Sequence, residues 1–270
     1  MPLYQIAVLA VVQGVFAFLP ISSWTHLIMV PALLGWAYDY GLQIDIAVQA
    51  GTLLAVMLYF WRELWRLARG GVLLLRGRLT GDGRLLLLLI LATLPLIGAS
   101  FLIQGYGAAM RQNFLAVALA TIGFGILLYA VDATFMQIRR LEHLGAVNAL
   151  IFGVAQVIAL LPGTSRTGIT MTAGRLLGFE RVEAARFALL MSVPVGFGRL
   201  ALLSREAVRS EAPPFEAAAL LAGPLAFVAA MLAIWLLMAW VKRASALIFA
   251  VYAALAGAGI LYWYYVLRGA

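Results

Sequence analysis

The stretch from residue 13 to residue 27, QGVFAFLPISSWTHL, sets a polar cluster inside an otherwise apolar run. Pro20 interrupts this run, and two serines, a threonine and a histidine follow it. In a membrane protein, a broken helix is tolerated only where its freed backbone groups are buried in protein or line a cavity. The stretch therefore predicts a re-entrant helical hairpin, within residues 3–35, whose tip is polar.

A second stretch, QVIALLPGTSRTG at residues 156–168, repeats this pattern within the apolar region 146–178. The aligned positions are Gln13 with Gln156, Pro20 with Pro162, Ser22 with Thr164 and Ser23 with Ser165. The repetition predicts a second hairpin and an internal duplication of the chain.

The composition around the hairpins is that of a membrane protein. Hydrophobic residues make up 65% of the chain and charged residues 11%, and the mean hydropathy is +1.02. These values exclude a soluble globular protein, and the absence of cysteine excludes disulfides and thiolate metal sites. A spanning helix needs about 20 mostly apolar residues. Six runs meet this requirement: about 44–61, 84–104, 113–133, 184–204, 216–241 and 245–267.

We therefore predict an all-α polytopic membrane protein whose residues 1–270 form a single integral membrane domain. One hairpin and three spans make one repeat, about 1–135 in the first half and about 146–270 in the second. Because three spans change the side of the membrane and a hairpin does not, the second repeat is predicted to be inverted. Inverted repeats place a ligand site near the bilayer midplane, where the broken helices meet.

The basic residues predict the orientation, because cytoplasmic loops are enriched in arginine and lysine. They concentrate in the linkers 61–84 and 134–146 and in the pair Lys242-Arg243. These segments are predicted to be cytoplasmic, which leaves the linkers 105–112 and 205–215 and both termini outside. In this setting the net charge of +8 indicates membrane topology, and no nucleic-acid partner is expected.

The second hairpin carries the sharpest candidate site residue, Arg166. A guanidinium within an apolar hairpin costs several kcal/mol unless it is paired, and its fork of donors suits phosphate oxygens. The alternative is an internal pair with Asp45 or with helix carbonyl groups. The neighbouring residues add hydroxyl and backbone N–H donors at a helix start, which is a ready anion site. They are Gly163, Thr164, Ser165, Thr167 and Thr170, and Gln13 and Gln156 are candidates from the two preceding helices.

The first hairpin carries candidate chemical groups. His26 has the chemistry of a general acid, base or nucleophile, and the hydroxyls of Ser22 and Ser23 can attack or hold a phosphoryl group. A hydrogen-bonded structural histidine is the alternative for His26. The remaining polar residues are interpreted as structural or solvated: His143 in a basic loop, and Asp45 and Asp132 at the membrane edge.

Both hairpin motifs belong to a wider resemblance. The chain resembles the bacterial undecaprenyl-diphosphate phosphatase (bacitracin-resistance) family over nearly its whole length. The segments that carry the resemblance are QGVFAFLPISS followed by His26, DIAVQAGTLLAV, and PGTSRTGITMTAGRLLGF with EAARFALLMSVP. The resemblance implies removal of phosphate from a C55 isoprenoid diphosphate in the bacterial inner membrane, at a site that faces the outside. It implies that Ser22, Ser23 and His26 form the hydroxyl–histidine motif and that Arg166 binds phosphate. A homodimer is left open.

The first motif departs from the family pattern. The family has Glu four residues after an acidic residue or Gln, whereas this chain has Ala17 after Gln13, and it also has Trp24 and Thr25 where a small residue and Gly are usual. The missing carboxylate would bind a divalent metal or move a proton. Gln13 is the one candidate metal ligand, and Mg²⁺ or Ca²⁺ stays an open cofactor. Two alternatives keep the pocket without the hydrolysis: a transporter of a polyprenyl phosphate or other anionic lipid, and an ion-coupled carrier of a small anion.

Overall fold

The computed structural model describes residues 2–36, 41–102, 113–135, 138–210 and 217–267. This part of the chain is mostly helical and contains no β-strand, only one isolated bridge between Arg139 and Phe179. The all-α prediction is confirmed. The predicted outer linker 105–112 lies outside the described residues, as does the end of the linker 205–215, whose first residues continue a helix.

Eleven α-helices lie within the described residues. They are α1 (Leu3–Phe16), α2 (Ser23–Leu34), α3 (Leu42–Tyr59), α4 (Trp61–Leu75), α5 (Gly81–Leu102), α6 (Phe114–Thr134), α7 (Ala146–Val157), α8 (Arg166–Leu176), α9 (Arg181–Arg209), α10 (Ala217–Trp240) and α11 (Leu247–Tyr262). A 3₁₀ turn, Ile158–Leu160, extends α7, and a π turn, Trp263–Leu267, extends α11.

Six helices are long and apolar enough to cross a membrane: α3, α5, α6, α9, α10, and α11 together with its π turn. They coincide with the six predicted spans, so the multi-pass architecture is confirmed. Two shorter pairs, α1–α2 and α7–α8, correspond to the predicted hairpins. Each pair is broken at its proline segment, between Phe16 and Ser23 and between Leu160 and Arg166.

Most of the linker 61–84 is helical, a feature that the sequence analysis did not predict. Helix α4 buries Leu67 and Gly70 and exposes Trp61 and Trp65. Gly70 lets α4 approach the start of α5 closely, since an added Cβ would lie 2.5 Å from the Gly83 nitrogen. The run was missed because its arginines interrupt the apolar pattern by which spans are recognised. An amphipathic helix that lies at a membrane surface needs only one apolar face.

The helices pack in a reciprocal pattern. Helix α1 of the first hairpin packs on α10, and α7 of the second hairpin packs on α5. The first spans of the two halves, α3 and α9, contact each other, as do the third spans, α6 and α11. Glycines permit the closest approaches: an added Cβ would lie 2.6 Å from the Ala226 oxygen at Gly14 and 2.5 Å from the Ala92 oxygen at Gly153. Two related halves would produce this reciprocity, and their inversion stays a prediction.

A buried ion cluster joins the ends of four helices. Asp132, at the end of α6, accepts hydrogen bonds of 2.8 Å from the Nε groups of Arg175 and Arg181 and one of 3.0 Å from the Ala246 nitrogen. Arg175 also donates to the Phe179 carbonyl. Asp132 therefore has a structural contact set, as its interpretation from sequence expected.

Candidate anion site at the hairpin tips

The first tip is organised by Ser22, which caps helix α2. Its hydroxyl accepts a hydrogen bond of 3.3 Å from the Thr25 nitrogen, which satisfies one of the unpaired donors at a helix start. Ser22 is buried, whereas Ser23 is partly buried. The Ser23 hydroxyl makes no hydrogen bond to any residue that the structure describes. Of the two serines, Ser23 therefore has the hydroxyl that is free for a ligand.

His26 is 2% exposed and both of its ring nitrogens are engaged. Nδ1 lies 2.8 Å from the Ser22 carbonyl oxygen, and Nε2 lies 2.8 Å from the Tyr252 hydroxyl in α11. Because a carbonyl oxygen can only accept, Nδ1 carries the hydrogen, and the neutral ring accepts the Tyr252 proton at Nε2. The Phe16 ring stacks on the imidazole at a centroid distance of 3.5 Å. The histidine is thus fixed in one tautomer and one orientation.

The second tip is built in the same way. Ser165 caps helix α8, and its hydroxyl accepts a hydrogen bond of 3.2 Å from the Gly168 nitrogen. Gly163 has a φ of 95°, a conformation that favours glycine. A side chain at residue 163 would also collide with the Val117 carbonyl oxygen of α6. The turn before α8 can therefore lie directly against α6.

The two tips touch each other, as the repeat predicted. The Ser165 hydroxyl donates to the Leu19 carbonyl oxygen at 3.1 Å. A Cβ added to Gly168 would lie 3.3 Å from the Pro20 carbonyl oxygen. These contacts bring the start of α2 and the start of α8 into one place.

Thr121 of α6 provides a second connection between the tips. Its hydroxyl lies 2.9 Å from the Thr25 hydroxyl and 3.2 Å from the Gly163 carbonyl oxygen. The first N–H groups of a helix lack intrahelical partners, and the helix dipole adds positive potential there. Two helix starts that meet in this way can bind an anion.

Arg166, the first residue of α8, lies at this junction and is partly buried. Its Nη2 donates to the Ser192 hydroxyl of α9 at 3.1 Å. Asp45, the alternative partner, instead lies 3.9 Å from Arg199. No carboxylate in the described ranges forms an ion pair with Arg166. Its positive charge is therefore available for an anion.

Other polar atoms near the tips also lack partners. The Gln13 Oε1 and the hydroxyls of Thr164 and Thr167 are buried and make no hydrogen bond within the described chain. An unsatisfied buried polar group costs about 1–3 kcal/mol, so such groups call for an explanation. A polar ligand at the tips would supply their partners.

Two further candidates have intramolecular partners. The Thr170 hydroxyl donates to the Arg166 carbonyl oxygen at 2.7 Å. Gln156 is fully buried, and its Nε2 donates to the Ala92 carbonyl oxygen of α5 at 2.7 Å. Its amide nitrogen therefore bonds to a neighbouring helix, whereas its Oε1 is buried and makes no hydrogen bond within the described chain.

Sequence reasoning missed Tyr252, Thr121 and Ser192 as parts of the site. Each is a hydroxyl residue within a span, which is the only signal that a single sequence offers. The structure assigns them by contact: Tyr252 to His26, Thr121 to Thr25, and Ser192 to Arg166.

The donor set at the tips does not fit a divalent metal ion. Ala17 continues the helical backbone of α1, and its nitrogen donates to the Gln13 carbonyl oxygen, so the position of the missing carboxylate is one turn after Gln13. Among the described residues, no group of three or more His, Asp or Glu side chains is placed to hold a metal. Ca²⁺ and Mg²⁺ require several oxygen ligands, and Gln13 offers one neutral oxygen.

Comparison with known proteins places the chain in a family. A protein of Rhodospirillum rubrum named undecaprenyl-diphosphatase 1 is 42% identical over 267 residues, which cover 97% of this chain and 95% of that protein. Proteins named undecaprenyl-diphosphatase from Alteromonas mediterranea and Roseobacter denitrificans are 40% and 39% identical over 98% of this chain. The family model described as Bacitracin resistance protein BacA matches residues 6–259. The chain belongs to the bacitracin resistance protein BacA family.

Proposed function

We propose that this protein removes the terminal phosphate of undecaprenyl diphosphate and yields undecaprenyl monophosphate and inorganic phosphate. One observation carries the proposal: Arg166 lies at two converging helix starts and has only the Ser192 hydroxyl as a side-chain partner in the described chain. The names of the three relatives supply the substrate and the reaction. Their alignment with nearly the whole chain supports an enzyme. No observation on the described residues favours the lipid transporter.

The diphosphate head would bind at the hairpin tips. Phosphoryl transfer depends mainly on positioning and on stabilising the charge of the transferred group. Arg166 and the first N–H groups of α8 provide positive potential for the terminal phosphate. The hydroxyls of Thr164 and Thr167, which lack partners in the described chain, would donate to its oxygens.

We assign the attacking group to Ser23, since the Ser22 hydroxyl caps helix α2. The Ser23 Oγ forms a bond to the terminal phosphorus while the bond from this phosphorus to the bridging oxygen breaks. Undecaprenyl monophosphate leaves with the electron pair of that bond. Water then hydrolyses the phosphoserine, which releases inorganic phosphate and restores the hydroxyl.

The Ser23 and Tyr252 hydroxyls share no hydrogen bond in the described structure, so a hydrogen bond or a bridging water would have to connect them when the substrate is bound. The proton of the attacking hydroxyl would then pass through the pair of Tyr252 and His26. As Tyr252 takes this proton, its own proton moves to the His26 Nε2 along the 2.8 Å hydrogen bond. The Ser22 carbonyl oxygen, bonded to Nδ1, stabilises the imidazolium. Tyr252→Phe should accordingly lower turnover by about 10²–10⁴-fold with substrate affinity unchanged.

We further propose that the protein lies in the bacterial inner membrane with this site open to the outer face. The basic residues of α4 and of the linker 134–146 support a cytoplasmic location for these segments. The hairpin that carries Ser23 would then enter from the outside.

Phosphate release by the purified protein in detergent, with undecaprenyl diphosphate as substrate, tests the activity. Ser23→Ala should reduce the rate by at least about a hundredfold and should retain affinity for a non-hydrolysable methylenebisphosphonate analogue. Ser100→Ala is the matched control, because this serine is half-buried on α5 and, among the described residues, its hydroxyl bonds only to the Ile97 carbonyl oxygen. An absence of release by the parent protein, or full activity of Ser23→Ala, would refute the corresponding step.

A further inference from the structure

A second guanidinium lies along the helix face that holds Arg166. Ser192, the partner of Arg166, is followed on α9 by Gly196 and by Arg199. Seven residues of α-helix turn almost back to the starting face and rise about 10.5 Å. Arg199 therefore stands two turns along the same face of α9.

Helix α3 presents polar groups opposite this face. Asp45 and Gln49 are one turn apart on α3, and the helices run in opposite directions, because Asp45 is near Arg199 while Glu63, just after α3, pairs with Arg186. A Cβ added to Gly196 would lie 2.9 Å from a Leu53 methyl group and 3.5 Å from the Gln49 Nε2. Gly196 is buried, and its lack of a side chain lets α9 pack closely on α3 beside the Gln49 amide.

The Gln49 amide makes no hydrogen bond to the residues that the structure describes. A polar strip therefore extends from Ser192, past Gly196 and the Gln49 amide, to Arg199. It is 3% exposed at Ser192, whereas the side chains of Arg199 and Asp45 are 52% and 34% exposed. The strip becomes more accessible with distance from Arg166, as the approach to a binding site would.

The present partner of Arg199 is weakly held. Its Nη2 lies 3.9 Å from the Asp45 Oδ1, and both side chains are accessible to solvent. Exposed ion pairs of this length contribute little. A phosphate group forms shorter, charge-assisted contacts with a guanidinium and can replace the carboxylate.

We infer that Arg199 is the second phosphate-binding cation of the site, so that Arg166 and Arg199 together hold a diphosphate head without a divalent cation. The inference rests on the proposed function, because it concerns the same site. A diphosphate head carries at least two negative charges that the site must neutralise, and the donor set around Gln13 and Ala17 does not fit a metal. A second guanidinium supplies the missing positive charge. Arg199 would thereby select a diphosphate over a monophosphate.

The test compares two non-hydrolysable ligands, an isoprenyl methylenebisphosphonate and an isoprenyl phosphonate, by calorimetry in detergent with EDTA. The parent protein should bind the bisphosphonate more tightly than the phosphonate without added metal. Arg199→Gln should weaken bisphosphonate binding by about tenfold, as expected for one charge-assisted contact, and should leave phosphonate binding within about twofold. Arg199→Lys should restore part of the loss.

Arg205→Gln is the matched control, since it removes the same charge from another, exposed face of α9. Unchanged phosphonate binding by Arg199→Gln also reports an intact fold. Equal losses for both ligands, no loss at all, or a requirement of the parent for Mg²⁺ would each overturn the inference. Arg166→Ala separates it from the proposed function: if this change also leaves both affinities intact, the phosphate site itself is misassigned.

Discussion

Replacing Arg166 with alanine should weaken the binding of an isoprenyl diphosphate analogue by about 10- to 150-fold, because one charge-assisted hydrogen bond contributes about 1.5–3 kcal/mol and 1.4 kcal/mol corresponds to a factor of ten. The stability of the protein should not fall. The Ser192 hydroxyl also donates to the Ala188 carbonyl oxygen at 3.1 Å, so the substitution leaves no unpaired hydroxyl behind. It also removes a cation that is costly to bury.

Two further substitutions divide the contribution of Arg166 into charge and position. Arg166→Lys keeps the charge and loses the planar fork, so its affinity should lie between those of the parent and Arg166→Ala. Ser192→Ala keeps the guanidinium and removes its anchor, a hydrogen bond of about 0.5–1.5 kcal/mol, and should weaken binding by about 2- to 12-fold.

Calorimetric titration and thermal unfolding of the same detergent samples measure both quantities. The reasoning would be refuted if Arg166→Ala bound the analogue normally and melted at a markedly lower temperature. That result would identify Arg166 as a structural cation.

Three other predictions concern the fold and the altered motif. Asp132→Ala should lower the free energy of unfolding by about 3–5 kcal/mol, because it leaves the buried guanidinium of Arg175 without its carboxylate. Thermal melting measures this loss, and a change below about 1 kcal/mol would contradict the structural role of the Asp132 ion cluster. In this cysteine-free chain, Arg78→Cys and Arg268→Cys should be labelled from opposite sides of the membrane by an impermeant reagent; same-side labelling would contradict the inverted repeat. Ala17→Glu combined with Gln13→Glu should raise Mg²⁺-dependent phosphate release by at least about tenfold, because it builds a carboxylate pair one helical turn apart; no change would show that the missing carboxylate does not limit this site.

The sequence allowed the spans and hairpins to be predicted because their signals are local. Apolar length marks each span, and Pro20 and Pro162 with their hydroxyl neighbours mark the two breaks. The amphipathic helix α4 gave a weaker signal, since only its face toward α5 is buried. Its arginines predict a cytoplasmic location, which stays a prediction, and they concealed its secondary structure.

The partners within the site could not be predicted, because they depend on distant parts of the chain. Arg166 and Ser192 are 26 residues apart, and His26 and Tyr252 are 226 apart. Hydroxyl residues in spans frequently bond to their own helix, as Thr93 does to the Leu89 carbonyl oxygen. Only the packing of the helices distinguishes a serine or tyrosine that contacts the site from one whose hydroxyl bonds to its own helix.

Arg175 provides an internal reference for the interpretation of Arg166. Both are arginines of helix α8, and both are removed from bulk water to some extent. Arg175 is 1% exposed and is fully compensated, since its donors reach the Asp132 carboxylate, the Asp132 carbonyl oxygen and the Phe179 carbonyl oxygen. A cation whose role is structural is therefore provided with an anion and carbonyl oxygens by this fold.

Arg166 receives only a neutral hydroxyl within the described chain, although the carboxylate of Asp45 lies on the neighbouring helix α3. That carboxylate is instead beside Arg199, at the more exposed end of the same polar strip. A fold that can neutralise a buried guanidinium, and does so at Arg175, leaves this one without an anion at the point where two helix starts converge. The missing partner is then most simply an anion that arrives with the substrate, and the phosphate of a lipid head has the charge and the oxygen geometry to provide it.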